Sequence, residues 1–167
     1  MNTILLLGSG KSSTYLIDYL ADTAKAKNRK LILADLDLES AQSKLKARPN
    51  TEAVKVNLKD ENSLEELVDK SSVVISMLPA FLHPVLAKIA LKKKKHFFSA
   101  SYESPEMKEM AQEIKKSNLF FLNECGLDPG IDHMSAMKII NEAKGNGETI
   151  RSFKSFCGGL LTPEFEN

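Results

Sequence analysis

Cysteine is scarce: only Cys125 and Cys157 occur in 167 residues. They lie far apart and form no CxxC pair, so neither a disulfide framework nor a zinc ribbon is expected, and a reduced, cytoplasmic setting fits. Net charge is nearly absent, at +1, which leaves no field to draw nucleic acid or an anionic membrane. The one basic run, Lys92-Lys93-Lys94-Lys95, has no interleaved aromatics. It reads as a solvated helix end, where cations complement the helix dipole. No apolar stretch approaches the roughly 20 residues that cross a bilayer. The run from Met1 to Leu7 has no basic region ahead of it and ends in glycine, so no signal peptide is expected. Neither nucleic acid nor membrane is therefore expected as a partner.

What is present is alternation. Ile4–Leu7, Leu31–Ala34, Ala53–Val56, Val73–Ser76, His96–Ser99 and Leu119–Leu122 are short apolar runs without a polar/apolar beat. Such runs suit strands covered on both faces. Between them lie stripes at three- and four-residue spacing: Tyr15, Leu16, Tyr19 and Leu20; Leu64, Leu67 and Val68; Phe81, Leu82, Val85, Leu86, Ile89 and Ala90; Met107, Met110, Ala111 and Ile114. Each predicts a helix with one packed face. Ser104-Pro105-Glu106 is a helix start, with serine as N-cap and proline at the first helical position. Strand–helix alternation requires right-handed crossovers and a parallel sheet. The fold class expected is α/β, a doubly wound parallel sheet of the Rossmann type.

The first strand runs directly into Gly8-Ser9-Gly10-Lys11-Ser12-Ser13. The first glycine permits the tight turn, the second lets backbone approach a pyrophosphate, and Ser13 fills the third, small position. The helix that follows points unpaired N–H groups at the phosphates. Spacing for a P-loop is absent. The second strand ends in Asp35, where a carboxylate can accept the hydroxyls of an adenosine ribose. Asp35 followed by Leu36 favours NAD over NADP, since a carboxylate repels a 2′-phosphate. Arg29 and Lys30 nearby keep NADP open.

Ligands of such sheets sit beyond the strands' carboxyl ends. Ser76-Met77-Leu78-Pro79 closes the fourth strand, where the backbone of Leu78 and Pro79 can line the ribose and nicotinamide path. Ser99-Ala100-Ser101-Tyr102 closes the fifth and clusters hydroxyls suited to a polar substrate, although Ser101 or Ser104 can equally cap a helix. The sixth exit, Asn123 to His133, holds three acids, a histidine and two glycines. Asp128-Pro129-Gly130 is also a good turn, and Asp132 a possible cap. No metal is expected, although Cys125 and His133 are potential ligands. Beyond, Ile131, Met134, Met137 and Ile140 predict a helix ended by Gly145-Asn146-Gly147, and Ile150 to Phe156 fits a half-buried strand imperfectly.

The stretch NECGLDPGIDHMSAM, Asn123 to Met137, resembles the NExGLDPGIDHxxA signature of saccharopine dehydrogenases. ILLLGSGKSS, VVISMLPAFLHPVLAKIAL, SASYESPEMKEM and FKSFCGGLLTPE resemble further segments of that family in order, so the resemblance covers essentially the whole chain. It implies an NAD(P)-dependent oxidoreductase acting on CH–NH groups in lysine metabolism. Such an enzyme interconverts saccharopine with glutamate and 2-aminoadipate 6-semialdehyde. It further implies that Ser101, Tyr102 and Asp128 contact the amino-acid substrate. Asp128 is then the candidate catalytic group, Leu127, Asp128 and Pro129 lie against the cofactor, and Gly8, Ser9, Gly10, Lys11 and Ser12 hold the pyrophosphate. Some relatives place arginine after the second strand to take NADPH, whereas this chain has Asp35 and Leu36. The expected division is a dinucleotide-binding domain over residues 1–130. Residues 131–167 then hold a linking helix and the first strand of a truncated second domain. The 167 residues alone are expected to bind dinucleotide weakly and turn nothing over, and a homodimer of the full-length protein stays open. Related readings are a carboxynorspermidine synthase, a lysine dehydrogenase, or a non-catalytic NAD(P)-sensing module.

Overall fold

The computed structural model describes residues 2–158. Consecutive Leu5, Leu6 and Leu7 are all fully buried, which requires a strand covered on both faces. This strand, β1 (Asn2–Leu7), is followed by β2 (Arg29–Asp35), β3 (Thr51–Lys55), β4 (Val73–Ser76), β5 (His96–Ser99) and β6 (Phe121–Leu122). They form one sheet in the order β3-β2-β1-β4-β5-β6. Every pairing is parallel, with Leu5 opposite both Ile32 and Val74. The fold is thus the doubly wound parallel sheet that the alternation predicts.

Leu5 and Leu7 join a core of Ile32, Leu64, Val68, Val74, Leu86, Ala90 and Phe97. Leu6 points the other way, into Ile17, Ala21, Leu31, Leu33, Ala41 and Leu45. The helices that supply these side chains are α1 (Thr14–Ala24), α2 (Leu38–Leu45), α3 (Glu61–Asp69) and α4 (His83–Lys92). Local signals start several helices. Asp37 accepts from the Ser40 N–H at 3.0 Å before α2, and Asp60 from the Ser63 N–H at 3.2 Å before α3. Ser104 accepts from the Met107 N–H at 3.3 Å before α5 (Pro105–Glu109), as its sequence predicts. The lysine run does end a helix. Lys92 and Lys93 both pair with Glu65 of α3, at 2.5 and 3.3 Å.

Several expectations need correction. Tyr15 and Tyr19 are exposed, and α1 buries Ile17, Ala21 and Ala24 instead. Both faces satisfy helical spacing, and the smaller residues take the side that meets the sheet. Phe81 stands in a 3-10 turn (Ala80–Leu82) ahead of α4 and is exposed, while His83, Leu86, Ala87 and Ala90 form the packed face. The stripe from Met107 to Ile114 breaks at Met110 into α5 and α6 (Ala111–Lys116). The stripe on α7 (Ile131–Gly145) is not packed: none of its residues is buried. Residues 150–158 form no strand, because an alternating segment becomes a strand only when another edge pairs with it. The expected first strand of a second domain is therefore missing among the described residues. Met1 and the remainder of the FKSFCGGLLTPE stretch, from Gly159 on, lie outside them.

Phe97 is fully buried and packs its ring 5.5 Å from that of Phe121. Phe97→Ala is expected to cost ~3–5 kcal/mol, read as a lowered urea midpoint in equilibrium unfolding.

Candidate active site

Because all strands run parallel, the exits of β1, β2, β4, β5 and β6 gather along one edge of the sheet. The order reverses at β1, which lies between β2 and β4, and this opens a crevice at that edge. Gly8, Ser9, Gly10, Lys11 and Ser12 leave β1 at the crevice. Gly8 has φ +103°, and a Cβ there would meet the Met77 carbonyl oxygen at 2.8 Å. The turn after β1 is therefore pressed against the exit of β4, and only glycine fits. A Cβ on Gly10 would meet nothing within 4 Å, so Gly10 borders open space. Ser13 is fully buried, and its hydroxyl donates to the Gly10 carbonyl at 2.8 Å. A 3-10 turn (Lys11–Ser13) leads into α1, leaving the first N–H groups free for an anion.

Asp35, at the end of β2, is tied to the same turn. Its Oδ2 accepts from the Ser9 N–H at 2.5 Å and the Ser9 hydroxyl at 2.8 Å, while Oδ1 accepts from the Asp37 N–H at 3.0 Å. Burial is the largest single influence on this carboxyl and pushes its pKa up. The N–H groups of Asp37, Ser9 and Leu36 and the Ser9 hydroxyl together outweigh burial and hold it below the ordinary carboxylate value. Asp35 is thus a stable anion beside the turn. Lys44 of α2 binds the turn from its carbonyl side, donating to Ser9 O at 2.5 Å, Gly10 O at 2.6 Å and Thr14 Oγ1 at 3.1 Å. No sequence pattern marks Lys44, since the contact spans more than thirty positions.

The remaining exits are laced together by polar contacts. The Met77 N–H donates to Leu7 O at 2.8 Å, which places Leu78 and Pro79 next to the Gly8 turn. Ser99 donates its hydroxyl to Asn123 Oδ1 at 2.9 Å, and the Glu124 N–H donates to Ser101 O at 3.0 Å. The Tyr102 hydroxyl donates to Asp128 Oδ1 at 2.8 Å. This bond, reinforced by the nearby acids, raises the Tyr102 pKa above its ordinary value. Leu127, Asp128 and Pro129 lie in the loop after β6, where the Gly126 N–H donates to Pro129 O at 2.9 Å and the Asp128–Pro129 bond is cis. Sequence-selected Ser101, Tyr102 and Asp128 are thereby brought together, at the same edge as the Gly8 turn.

A cleft of about 450 Å³ opens beside Tyr102 and Asp128, lined also by Asp132, His133, Met137 and Phe153. His133 Nδ1 lies 2.8 Å from Asp132 Oδ1, and that hydrogen-bonded carboxylate raises the imidazole pKa. Ligand atoms of Asp128, Asp132 and His133 fall within 4.8 Å of one another. Cys125 stands apart from this group, its thiol directed at Asn123 O. Both Cys125 and Cys157 are free thiols, and Cys157 lines the cleft. Sequence reading missed His83, which bridges Ser76 and Ser101. Its place on the stripe His83, Leu86, Ala87, Ala90 is the signal that marks it as inward-facing.

Comparison with known proteins gives a consistent set of similarities. The family model described as "Saccharopine dehydrogenase NADP binding domain" matches residues 4–122, and "Saccharopine dehydrogenase C-terminal domain" matches residues 126–167. A saccharopine dehydrogenase [NADP(+), L-glutamate-forming] of Schizosaccharomyces pombe is 37% identical over all of this chain and 36% of its own length. The mitochondrial alpha-aminoadipic semialdehyde synthase of Rattus norvegicus is 39% identical over 96% of this chain and 17% of its own. The chain thus spans about a third or less of these relatives. An apo saccharopine dehydrogenase (L-Glu forming) from Saccharomyces cerevisiae superposes with TM-score 0.78 and 35% identity, over 88% of this chain and 32% of that one.

The two loop glycines separate folding from binding. Gly8→Ala is expected to lower stability by ~1–3 kcal/mol through strain and the clash with Met77. Gly10→Ala is expected to leave stability within ~0.5 kcal/mol yet weaken dinucleotide binding by about tenfold, as the added methyl stands where phosphate must approach. Thermal unfolding and calorimetric titration on the same two variants check this.

Proposed function

Since the chain belongs to the saccharopine dehydrogenase family, we propose that it forms the cofactor site and part of the amino-acid site of an NAD-dependent saccharopine oxidoreductase. Residues 4–122 are an NAD(P)-binding domain. In the reaction, saccharopine, NAD+ and water give glutamate, 2-aminoadipate 6-semialdehyde, NADH and a proton. When bound, the nicotinamide supplies the hydride acceptor. The observation that carries the proposal is the shared edge: the open turn at Gly10 and the Tyr102–Asp128 pair stand at exits of one parallel sheet.

Gly8, Ser9, Gly10, Lys11 and Ser12 form the pyrophosphate turn: the Gly8 and Ser9 N–H groups donate to Ala34 O and Asp35 Oδ2 and fix its shape, while the N–H groups of Gly10, Lys11 and Ser12 and the positive end of α1 face the phosphates. The backbone of Leu78 and Pro79 and the loop Leu127-Asp128-Pro129 line the path from ribose to nicotinamide. Ser101, Tyr102 and Asp128 receive the amino acid. The Asp128 carboxylate, already accepting the Tyr102 O–H, binds the substrate's ammonium and favours the cationic form of the carbon–nitrogen double bond. Much of the chain's contribution is positioning, which aligns the two carbons between which hydride moves.

Asp35 carries the preference for NAD. It is an anion at the end of β2, followed by Leu36 rather than a cation, and a 2′-phosphate there meets like charge. Lys44, on the carbonyl side of the turn, is the observation that favours NADP instead.

Amide spectra of the 15N-labelled chain test the function. NADH is expected to shift Gly8 to Ser13, and saccharopine to shift Ser101, Tyr102 and Asp128. Saccharopine shifts confined to other regions, or none, overturn the reading. Calorimetry tests the cofactor preference: Asp35→Ala is expected to weaken NADH by ~1–3 kcal/mol, the cost of an unpaired ribose hydroxyl. Because that variant also releases Ser9, Asp35→Asn keeps the acceptor while removing the charge. It should raise NADPH affinity relative to NADH.

A further inference from the structure

His83 is 2% exposed and stands at the first position of α4. Its Nδ1 lies 2.8 Å from Ser76 Oγ, and its Nε2 lies 2.9 Å from Ser101 Oγ. The imidazole therefore joins the exit of β4 to the exit of β5. Burial depresses its pKa, and the positive end of α4 acts in the same sense. The ring is neutral, with one N–H donor and one bare acceptor nitrogen. Two hydrogen-bond directions are then open, and they give Ser101 opposite characters.

The buried end of the link decides between them. Ser76 is fully buried, and among the described residues its hydroxyl has no side-chain partner except His83. If Nδ1 carried the proton, it would donate to Ser76 and leave the Ser76 O–H in the core without an acceptor, which native interiors avoid. With the proton on Nε2, the Ser76 O–H donates to Nδ1, and Nε2–H donates to Ser101. Both buried members of the link, Ser76 and His83, are then satisfied. Ser101 has accepted one bond, and its own O–H has no acceptor among the described side chains. That hydrogen is offered from a half-buried position beside Tyr102.

We propose that His83 is a positioning residue: the relay Ser76–His83–Ser101 fixes Ser101 as a hydrogen-bond donor to a carboxylate of the amino-acid substrate. The inference rests on the amino-acid site proposed above. Asp128 can accept from an ammonium but cannot donate to a carboxylate, and an amino acid carries both groups. An inward-turned Ser101 O–H would present only lone pairs and meet that carboxylate unfavourably. The relay removes this alternative without placing a charge in the core.

Two measurements test it on the whole chain. Long-range 1H–15N spectra of histidine-labelled protein read the tautomer directly. His83 is expected to be protonated on Nε2 and bare on Nδ1 at neutral pH, and Ser76→Ala is expected to populate both tautomers. A proton on Nδ1 in the unsubstituted protein, or on both nitrogens, overturns the relay. The second measurement is saccharopine affinity by NMR titration, with NADH affinity as the control. Ser101→Ala and His83→Leu are each expected to weaken saccharopine about tenfold, the value of one hydrogen bond to a charged group, and to leave NADH unchanged. His83→Gln, whose amide can accept from Ser76 and donate to Ser101, is expected to restore most of the loss. Unaltered saccharopine affinity in His83→Leu overturns the relay while leaving the proposed function standing. Absence of any saccharopine response in the unsubstituted chain overturns the proposed function and, with it, the ligand assigned to Ser101, whatever the tautomer.

Discussion

Parallel pairing of β1 with β2 on one side and β4 on the other is the constraint from which the rest follows. Parallel strands send every carboxyl end to the same edge, so residues far apart in sequence must meet there. The reversal of strand order at β1 then opens a crevice between neighbouring exits. It works only if the turn after β1 passes very close to β4, and the 2.8 Å approach of a would-be Gly8 Cβ to the Met77 carbonyl shows how close. The pairing itself depends on β1 being apolar on both sides. Leu5 and Leu7 feed one core and Leu6 the other; a polar residue at any of the three would sit unpaired in one of them.

The two halves of the edge are built differently. At the exits of β1 and β2, shape comes from backbone: a positive-φ glycine, a 3-10 turn, and carbonyls held by Lys44. Asp35 fastens that turn to β2 through Ser9. At the exits of β4, β5 and β6, shape comes from side chains: Ser99 with Asn123, Tyr102 with Asp128, His83 with Ser76 and Ser101. Backbone shape tolerates few substitutions because it is set by sterics. Side-chain links can be exchanged one residue at a time, so the β4–β6 half of the edge tolerates more substitutions than the Gly8 turn.

Local patterns in the sequence were sufficient wherever the determining contact is local or follows from an unbroken apolar run. Leu5-Leu6-Leu7 announces a doubly covered strand, Gly8-Ser9-Gly10 the turn behind it, and Ser104-Pro105 a helix start. Tyr15 and Tyr19 show the limit of periodicity. Spacing identifies a helix but does not say which of two adjacent apolar faces meets the sheet, and here the small residues Ala21 and Ala24 do. Ile150 to Phe156 shows another limit, since alternation describes a strand only when an edge is available to pair with. The partners of His83 and Lys44 were illegible for a third reason, although the helical stripe does mark His83 as inward-facing. Their partners lie 7, 18 and about 35 positions away, and only the folded sheet brings them together.

Two histidines flank the same short segment, and their surroundings push them in opposite directions. His133 faces the cleft, where Asp132 accepts from it and favours the imidazolium; its ring stands edge-on 6.3 Å from that of Tyr102. His83 lies behind Ser101, where burial favours the neutral ring. The outer group can take up a proton because water screens the resulting charge. The inner one must not, because a cation between two serine hydroxyls in the core would lose its acceptor nitrogen and break the link from Ser76 to Ser101. Charge at the cleft is thus carried by the exposed residues Asp128 and His133, with half-buried Asp132 beside them. The geometry at Ser101 is carried by a ring that stays neutral. Separating the two lets the electrostatics of the cleft respond to solvent while the hydroxyl at Ser101 keeps one direction.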